Sequence, residues 1–545
     1  MFFREISRIL GRYLIYFTLI LCIPLGVAIA YDFFLEPHSL KVPSTWAFVW
    51  TIAISLMLAL LFLHLGKKAV GTLYRRESIV LVALIWFITA GIGAVPFWYT
   101  NTFSNPIDAY FESMSGLTTT GATIIYPKAY DPKTHKEVPI TIHHPRAPEL
   151  AYSFYGTVEP IRDGSKILYS GIDAIGKGLL FWRSFMQWLG GMGIVVLFIA
   201  VLPALSMGGK FLFETEMPGP NKETITPRIR ETASLLWKIY LGLTVLQIIL
   251  LITTNKQISL FDAVNLSLTT ISTGGFTIRS DNLAAYHQVG TQVIVMIFMV
   301  LGSINFSLYF HCIRGKIYRI YEPEFLIYLF ILIGSSFLLA LTIWNTPQFT
   351  LSGVKGVYSF SQALVTGSFQ AVSAQTSTGF AIGNYDLWPF SSQLLLLILI
   401  FIGGMSGSTC GGMKVARLLI VSRSIAHKIE SIFRPDAVRC LKIGNREISD
   451  KTVVSVLVFF SIMIALAVMG TFLLVIDGID PQTSFGVIAC MINNAGLIFG
   501  GSALTESCAF LPPLSKIISI LWMALGRLEF FALLVLLVPA FWSRK

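Results

Sequence analysis

Long apolar stretches dominate the chain and recur from near its first residue to its last. Ten of them hold about 20 or more mostly apolar residues, the length that an α-helix needs to cross a bilayer. They cover approximately residues 13–35, 46–66, 78–100, 181–205, 233–254, 290–313, 325–345, 391–421, 452–476 and 514–541. This pattern predicts an all-α polytopic membrane protein with ten spans.

A shorter unit follows the third, fifth, seventh and ninth spans. In each unit, about three turns of moderately apolar helix precede a polar segment that contains glycine, and the unit is too short to cross a bilayer. The short helices are predicted near residues 105–116, 259–268, 358–372 and 481–491. The polar segments, called the Thr/Gly segments below, are residues 117–122, 269–276, 375–380 and 492–497. The chain therefore repeats one pattern four times: span, short helix, Thr/Gly segment, span.

The Thr/Gly segments have the composition of a cation pathway. Non-helical backbone at membrane depth is tolerated only where protein or a water-filled pore surrounds it. Glycine allows the conformations that aim carbonyl oxygens at a common axis, and Thr and Ser hydroxyls add oxygen ligands. Divalent cations usually draw carboxylates, whereas these segments contain no Asp or Glu. Four of them predict a ring of uncharged oxygens that replaces the water shell of a monovalent cation.

The eighth span has an unusual interior, called the glycine loop below (residues 403–414). A continuous helix is destabilised there, since each glycine in a helix interior costs about 1 kcal/mol relative to alanine. The small residues are Gly403, Gly404, Ser406, Gly407, Ser408, Thr409, Gly411 and Gly412. Because broken helices at this depth normally face a cavity, we predict a mobile loop that blocks the pore beneath the Thr/Gly segments. Close helix packing through small residues is the alternative.

Arg527 is a charge inside the last predicted span. Such a charge costs at least about 2.5–3.5 kcal/mol near the bilayer centre, so it is expected to face the pore or a partner. Glu529 is two residues away and points to a different helix face. We predict that Arg527 lies in the cation path opposite the glycine loop; snorkelling to the membrane surface is the alternative.

Composition and charge support a membrane protein. The chain of 545 residues is 54% hydrophobic and 13% charged, against roughly 25% charged residues in soluble proteins, which disfavours soluble enzymes and nucleic-acid-binding proteins. The net charge of +11 comes from clusters of Lys and Arg. These clusters all fall on one side of the membrane if the ten spans alternate in direction. These clusters are Arg4 to Arg12, Lys67 to Arg76, Lys210 to Arg230, Arg314 to Arg319, Lys414 to Arg446, and Arg544 with Lys545. The positive-inside rule makes that side, with both termini, cytoplasmic, so no nucleic acid is needed to explain the charge.

Specific motifs are spread over nearly the whole chain. They are WRSFMQWLGGMG (182–193), EMPGP (216–220), TPRIRET (226–232), GGMSGSTCGGMK (403–414) and LGRLEF (525–530). With these motifs and the Thr/Gly segments, the chain resembles the Trk/Ktr/HKT superfamily of cation transporters, most of all its bacterial TrkH-type branch. The resemblance implies four pseudo-repeats of outer helix, pore helix, filter and inner helix around one central pore. It divides the chain into two extra N-terminal transmembrane helices (1–70) and pore repeats 71–206, 207–320, 321–446 and 447–545.

The resemblance also implies roles for individual residues. The potassium-binding filter would comprise Thr119, Thr120, Gly121, Ser272, Thr273, Gly274, Ser377, Thr378, Gly379, Asn494, Ala495 and Gly496. Glycine at all four filter positions goes with potassium preference in this family, and K+ at the filter is the only metal expected. The glycine loop and Arg527 match the family's gate. The implied function is channel-like, selective K+ uptake across the inner (plasma) membrane, without enzymatic activity.

Partners and cofactors are likewise expectations from the resemblance. Relatives form homodimers in membrane lipid and bind a cytosolic ring of nucleotide-binding, RCK-type regulatory proteins. The chain has no phosphate-binding Gly-x-x-x-x-Gly-Lys-Ser/Thr loop, so it is expected to carry no cofactor of its own. Control by a nucleotide (NAD or ATP/ADP) would act through the partner subunit. Candidate docking surfaces are the basic loops 414–446 and 207–231, whose charges also serve to set topology.

About 50 residues, 126–177, depart from the family pattern and are called the insertion below. They are polar, rich in proline, and predicted to lie outside the membrane. A passive flap and a cap over the pore mouth that alters access are both compatible with this composition. The adjacent His143 and His144 are a poor metal motif, so no metal is expected there.

Two other classes of function stay open from the residues alone. A proton- or sodium-coupled symporter would use buried carboxylates as relays, and the candidates are Asp108, Glu112, Asp262 and Glu529. A less selective Na+/K+ transporter would keep the same architecture. A membrane-embedded enzyme would need clustered His, Asp, Glu or Cys at depth, whereas the His residues here are scattered.

Overall fold

The chain is mostly helical, with short strands confined to hairpins. The computed structural model describes residues 3–67, 69, 74–131, 133–144, 147–163, 166–193, 229–286, 288–350, 353–434, 442–444, 446–500 and 507–543. The main helices are α1 (Phe3–Ile29), α2 (Thr45–Leu65), α3 (Arg75–Tyr99), α4 (Pro106–Leu117), α5 (Lys177–Gly191), α6 (Ile229–Thr254), α7 (Leu260–Ile271), α8 (Val289–Ser303), α9 (Phe306–Ile313), α10 (Pro323–Ile343), α11 (Phe360–Gln375), α12 (Phe390–Ile402), α13 (Val415–Phe433), α14 (Asp450–Ile476), α15 (Pro481–Asn493), α16 (Pro513–Arg527) and α17 (Phe531–Leu534). The all-α prediction is confirmed over these ranges.

The strands of the described chain form five two-stranded antiparallel hairpins. They are β1 (Ala129–Tyr130) with β2 (Glu137–Val138), β3 (Ile140–His144) with β4 (Ala147–Phe154), β5 (Ile161–Asp163) with β6 (Lys166–Tyr169), β7 (Pro347–Thr350) with β8 (Gly353–Val357), and β9 (Lys442–Ile443) with β10 (Arg446–Glu447). Three of them lie in the insertion, which therefore has a defined hairpin structure rather than an irregular one.

Six described helices are long and apolar enough to cross a membrane, and eight spans result if two bent helix pairs are each counted as one. The six are α1 with its π-helical extension (Ala30–Leu35), α2, α3, α6, α10 and α14. Of the predicted fourth span, 181–205, only the part up to residue 193 lies within the described residues. Arg8 donates a hydrogen bond to the Ala69 carbonyl at 3.1 Å, and Arg76 donates one to Ser543 at 3.2 Å. The start of α1 thus lies beside Ala69, which follows α2, and the start of α3 lies beside Ser543.

Three of the predicted spans are not continuous helices. The stretch 391–421 is interrupted by the glycine loop, as its composition suggests, but the breaks in 290–313 and 514–541 are not predicted by the apolar pattern. The α8–α9 pair is bent by 93° and the pair α16 with Phe531–Leu537 by 112°. At the first bend, Met405 of the glycine loop donates to Ser303 O at 3.0 Å and Phe306 donates to Gly407 O at 3.2 Å. The loop therefore satisfies backbone groups that the broken helix leaves free.

Four short helices occupy the predicted positions before the Thr/Gly segments: α4, α7, α11 and α15. Each begins at a residue whose side chain accepts a hydrogen bond from a free backbone N–H of the first turn. These N-cap residues are Asn105, Ser259, Ser359 and Asp480. The C-terminal ends of all four helices lead directly into the Thr/Gly segments.

Candidate functional site

The Thr/Gly segments share one backbone conformation. In each, an N–H donates to the carbonyl five residues earlier: Thr120 to Ser115 at 2.9 Å, Gly274 to Thr269 at 2.9 Å, Thr378 to Ser373 at 3.0 Å, and Ala495 to Cys490 at 3.1 Å. The residues on either side of each donor have positive φ: Thr119 and Gly121, Thr273 and Gly275, Ser377 and Gly379, Asn494 and Gly496. The four segments are thus equivalent, residue by residue.

This equivalence changes the register of the second segment. The family pattern places Ser272, Thr273 and Gly274 beside Thr119, Thr120 and Gly121. In the structure, the hydrogen bond and the two positive φ values pair Gly274 with Thr120 and Gly275 with Gly121. The equivalent triplet is therefore 273–275, one residue later. Because Gly274 and Gly275 are adjacent, the sequence fits both the 272–274 and the 273–275 alignment of this segment.

The four segments close into a ring. A side-chain carbon at any of the four positive-φ glycines would meet a carbonyl oxygen of the neighbouring segment. The distances would be 2.2 Å from Gly121 to Gly274 O, 1.8 Å from Gly275 to Thr378 O, 2.8 Å from Gly379 to Ala495 O, and 3.0 Å from Gly496 to Thr120 O. Glycine is required at these positions both by φ and by this close approach. The ring runs through the segments in chain order.

The ring holds no charged side chain, and the helix ends around it favour a cation. The C-terminus of an α-helix carries roughly half a negative charge from its unpaired carbonyls. Four such ends converge on the Thr/Gly segments. The backbone carbonyls of Thr120, Gly274, Thr378 and Ala495 supply uncharged oxygen atoms at the ring. This donor set fits a monovalent cation better than a divalent one.

Gln187 of α5 supports the second segment, a role that sequence reasoning missed. Its side chain is fully buried. It donates to Gly274 O at 2.7 Å and accepts from the Phe276 N–H at 3.0 Å, so the two backbone groups flanking Gly275 are both fixed. The available signal was a polar residue between Met186 and Trp188, in the motif of residues 182–193.

Arg183 lies one turn before Gln187 and joins the first two segments. Its guanidinium pairs with Glu112 of α4 at 2.8 Å, and both side chains are at most 1% exposed. It also donates to Thr277 O at 2.8 Å and lies over the ring of Phe276 at 4.2 Å. Glu112 in turn accepts from the Ile124 N–H at 2.9 Å, after the first segment. A buried pair with these extra hydrogen bonds is costly to break from one side, by about 3–5 kcal/mol.

All four carboxylates named as symport candidates have a cationic partner. Glu112 pairs with Arg183 at 2.8 Å, Asp108 with Lys516 at 2.8 Å, Asp262 with Arg279 at 3.1 Å, and Glu529 with Arg417 at 2.7 Å. Lys516 lies on α16, so its pair joins the first short helix to the helix that follows the fourth Thr/Gly segment. These side chains brace the structure around the ring and do not line it.

The glycine loop lies directly beneath the ring. Thr409 Oγ1 is 3.2 Å from Thr273 Oγ1 of the second segment, and the Gly411 N–H donates to Ser377 Oγ of the third at 2.7 Å. A side-chain carbon at Gly411 would lie 1.9 Å from Asn493 O, beside the fourth segment. The loop therefore touches three of the four segments.

Arg527 completes this layer at the first segment. Its guanidinium donates to Thr119 Oγ1 at 3.3 Å and to Thr409 O of the glycine loop at 3.0 Å. It also donates to the carbonyls of Gly190 and Gly191, at the end of α5. Arg527 is the last residue of α16, and the chain turns sharply behind it, where Glu529 and Phe530 have positive φ. The break in the predicted last span thus places this charge under the ring.

Three more ionisable residues hold the ends of the glycine loop. Lys414 is buried, has positive φ, and donates to Cys410 O. Glu324 of α10 accepts from the Ser406 N–H at 2.6 Å. Arg417 of α13 pairs with Glu529 and lies over the ring of Phe459 at 3.9 Å. In the sequence, Lys414 and Arg417 belong to the basic stretch 414–446, which was interpreted as topology-setting charge or a docking surface, and Glu324 was not singled out.

Two cavities lie on opposite sides of the ring. The smaller, about 50 Å³, is bounded by Gly411, Asn494, Lys414 and Arg527, among others. The larger, about 310 Å³, is called the mouth cavity below; it is lined by Gly121, Gly275, Gly379 and Gly496 and by residues that follow them. The predicted docking loop 207–231 lies outside the described residues up to 228, as do residues 435–441 and 445 of the loop 414–446.

Comparisons with known proteins agree with this architecture. A family model described as "TrkH: Cation transport protein" matches residues 45–544. The Trk system potassium uptake protein TrkH of Escherichia coli K12 is 31% identical over 547 residues, covering 99% of this chain and 100% of that protein. The Trk system potassium uptake protein TrkG of the same organism is 30% identical over 484 residues, covering 87% of each.

A solved structure shows the same fold. The crystal structure of the potassium transporter TrkH from Vibrio parahaemolyticus has a TM-score of 0.76 and 29% sequence identity, and the match covers 100% of both chains. The matched proteins are named as transport proteins. With the apolar helices, these matches identify a multi-pass membrane transport protein.

Proposed function

The chain belongs to the TrkH family of cation transport proteins, and we propose that it takes up K+ by channel-like conduction through the ring of Thr/Gly segments. The relatives are named potassium uptake proteins. In the proposed orientation, the mouth cavity faces outward from the inner (plasma) membrane and both termini are cytoplasmic. A cation crossing 100 mV gains about 2.3 kcal/mol, so the membrane potential alone can drive uptake.

The observation that carries this proposal is the closed ring of four equivalent segments. Residues 119–121, 273–275, 377–379 and 494–496 have one conformation, and each carbonyl of a middle residue abuts the glycine of the preceding segment in the ring. Such a ring supplies oxygens at fixed spacing with no formal charge, which suits K+ because K+ loses its water shell more easily than a smaller ion. Glycine at all four positions, with Gly275 in the second, supports potassium over sodium.

The layer of the glycine loop and Arg527 is proposed to be the gate. Together they touch all four segments from below: Arg527 at Thr119, Thr409 at Thr273, Gly411 at Ser377 and beside Asn493. A cation that leaves the ring meets a guanidinium and a closed loop, so conduction requires both to move. These contacts beneath the ring support the proposal that the described arrangement is a closed state of the pore.

Regulation and assembly are proposed on the resemblance to the family. A cytosolic RCK-type ring with bound nucleotide would act on the basic face of α13, which directly follows the glycine loop. Homodimer formation is the expected assembly. Arg417, at the start of α13, pairs with Glu529 two residues from Arg527, which supports a mechanical connection between that face and the gate.

Proton or sodium coupling is the weaker candidate. A relay carboxylate has to lose and regain its charge, whereas Asp108, Glu112, Asp262 and Glu529 are each paired with Lys or Arg. A neighbouring cation stabilises the charged form, so these groups are poor relays.

Flux through the purified protein in liposomes tests the proposal. We expect uptake of K+ and rubidium to exceed that of sodium by at least tenfold, driven by a potassium gradient at equal pH on both sides. Empty liposomes are the control. A preference for sodium would overturn the selectivity proposal, and uptake that requires a proton or sodium gradient would replace conduction by symport.

A further inference from the structure

The insertion completes the wall of the mouth cavity. Besides the four glycines of the ring, this cavity of about 310 Å³ is lined by Tyr126, Pro127, Ser170, Gly171 and Ile172 of the insertion. One water needs roughly 10–15 Å³ on a comparable measure, so the cavity has room for a cation with a shell of water. No insertion of this length follows the other three Thr/Gly segments. One side of the approach to the ring is therefore built by the insertion.

The insertion is fastened to the segments around it. At its base, Thr157 Oγ1 donates to Ile124 O at 2.8 Å and accepts from the Tyr126 N–H at 2.9 Å. Near its end, Asp173 accepts from the Ser280 N–H at 3.2 Å, in the chain that follows the second segment. These contacts fix both ends of the insertion beside the ring.

A third contact reaches the fourth repeat, which is the neighbour of the first in the ring. Tyr152 of β4 donates its hydroxyl hydrogen to Asp480, and its ring packs on Phe510 at 5.0 Å between centroids. Asp480 is the N-cap of α15 and accepts from the N–H groups of Gln482 at 2.9 Å and Thr483 at 3.0 Å. Burial and the hydrogen bond to Asp480 raise the pKa of Tyr152 to about 12, so the hydroxyl stays protonated at physiological pH. The insertion of the first repeat is thereby clamped to the short helix of the fourth.

We propose that the insertion is a collar that walls an antechamber for a hydrated monovalent cation and that Tyr152 holds this collar in place. This rests on the proposed conduction through the ring. A cation enters the antechamber with part of its water shell and gives that water up at the four glycines. The collar restricts the approach and sets the cation concentration at which uptake saturates. If the insertion is instead a passive flap, it affects neither the approach of the cation nor the concentration at which uptake saturates.

Chemical modification at the cavity wall tests the antechamber without altering the fold. In Ser170→Cys, a positively charged methanethiosulfonate reagent should attach inside the mouth cavity and reduce K+ flux at least fivefold. Thr134→Cys is the matched control, because Thr134 lies on the exposed turn between β1 and β2, and its modification should leave flux unchanged. Mass spectrometry reports the extent of labelling. Full labelling of Ser170→Cys with unchanged flux would reject the antechamber.

The clamp is tested by Tyr152→Phe, which removes the hydroxyl and keeps the ring on Phe510. We expect the K+ concentration for half-maximal uptake to change about threefold, because the collar loses the hydrogen bond to Asp480 that holds it in place. Tyr155→Phe is the control, since Tyr155 is 58% exposed beside the same hairpin. An unchanged half-maximal concentration in Tyr152→Phe contradicts the clamp. If the unaltered protein moves no K+, the proposed function fails. If that protein conducts, a negative labelling result overturns the antechamber, and a negative Tyr152→Phe result overturns the clamp.

Discussion

The ring of Thr/Gly segments and the layer of the glycine loop beneath it are built in opposite ways. The ring uses one local design four times, with the same hydrogen bond, the same pair of positive φ values and a side-chain cap on each preceding helix. The layer below occurs once and joins three unrelated breaks, at Ser303, at Gly403 and after Arg527. The ring contains no charge, whereas the layer contains Lys414 and Arg527.

This difference fits the two tasks that we propose, selection of the cation by the ring and its obstruction by the glycine loop. Equal distances on all sides of a cation are obtained most simply by repeating one unit around an axis. A movable obstruction needs an element whose bonds can be exchanged without disturbing the other repeats. The glycine loop meets this need, because much of its hydrogen bonding is to backbone groups freed by the break between α8 and α9.

The largest effect is expected from Gly275→Ala in the ring. The new side-chain carbon would lie 1.8 Å from Thr378 O at a φ of +79°, so the second and third segments cannot both keep their places. We expect K+ flux to fall by at least about 100-fold with the protein still folded in the membrane. Gly274→Ala should be milder, because it meets the Gln187 side chain and does not require positive φ. Equal losses in the two variants would contradict the 273–275 register, and Gly242→Ala, with nothing within 4 Å, is the control.

Arg527→Ala tests the layer beneath the ring and should act in the opposite direction. A like charge about 4 Å from a cation costs it about 4 kcal/mol at an effective dielectric constant of about 20, and the cost falls with distance. Removing it, together with its hydrogen bonds to Thr409 and Gly190, should raise flux about tenfold without changing the preference for K+. Liposome uptake measures both quantities, and Arg423→Ala on the exposed part of α13 is the control. Unchanged flux would remove Arg527 from the gate.

The smallest effect is expected from Glu529→Gln, which acts on the layer indirectly. Arg417 would lose its carboxylate partner at 2.7 Å while it keeps Phe459 and the Met413 carbonyl. We expect flux to rise about threefold, because Arg527 is less firmly held, and thermal stability to fall. A paired change, Arg417→Met with Glu529→Gln, should recover most of the stability, since no buried charge is left alone. Lower stability with unchanged flux would make the pair purely structural.

The sequence predicted the short helices well because each carries its own local signals. Each helix begins at an N-cap residue that acts within one turn: Asn105 before Pro106, Ser259, Ser359, and Asp480 before Pro481. The Thr/Gly segments follow these helices at fixed spacing. It missed the one-residue register in the second segment, because Gly274 and Gly275 satisfy the same pattern. The bends at Ser303 and Arg527 were not predicted, because an apolar run indicates burial in lipid or protein but does not indicate the direction of the helix axis.

What the sequence alone determined is the membrane class, the fourfold pattern and the residue types of the ring, since spans, caps and glycines act over a few neighbouring residues. Only the tertiary structure decided which residues meet. Gln187 reaches Gly274, Arg183 reaches Glu112, and Arg527 reaches Thr119 and Thr409 across hundreds of residues or between separate helices. Such contacts depend on how broken helices pack around one axis, because a buried polar group is stable only beside the partner that the fold brings to it.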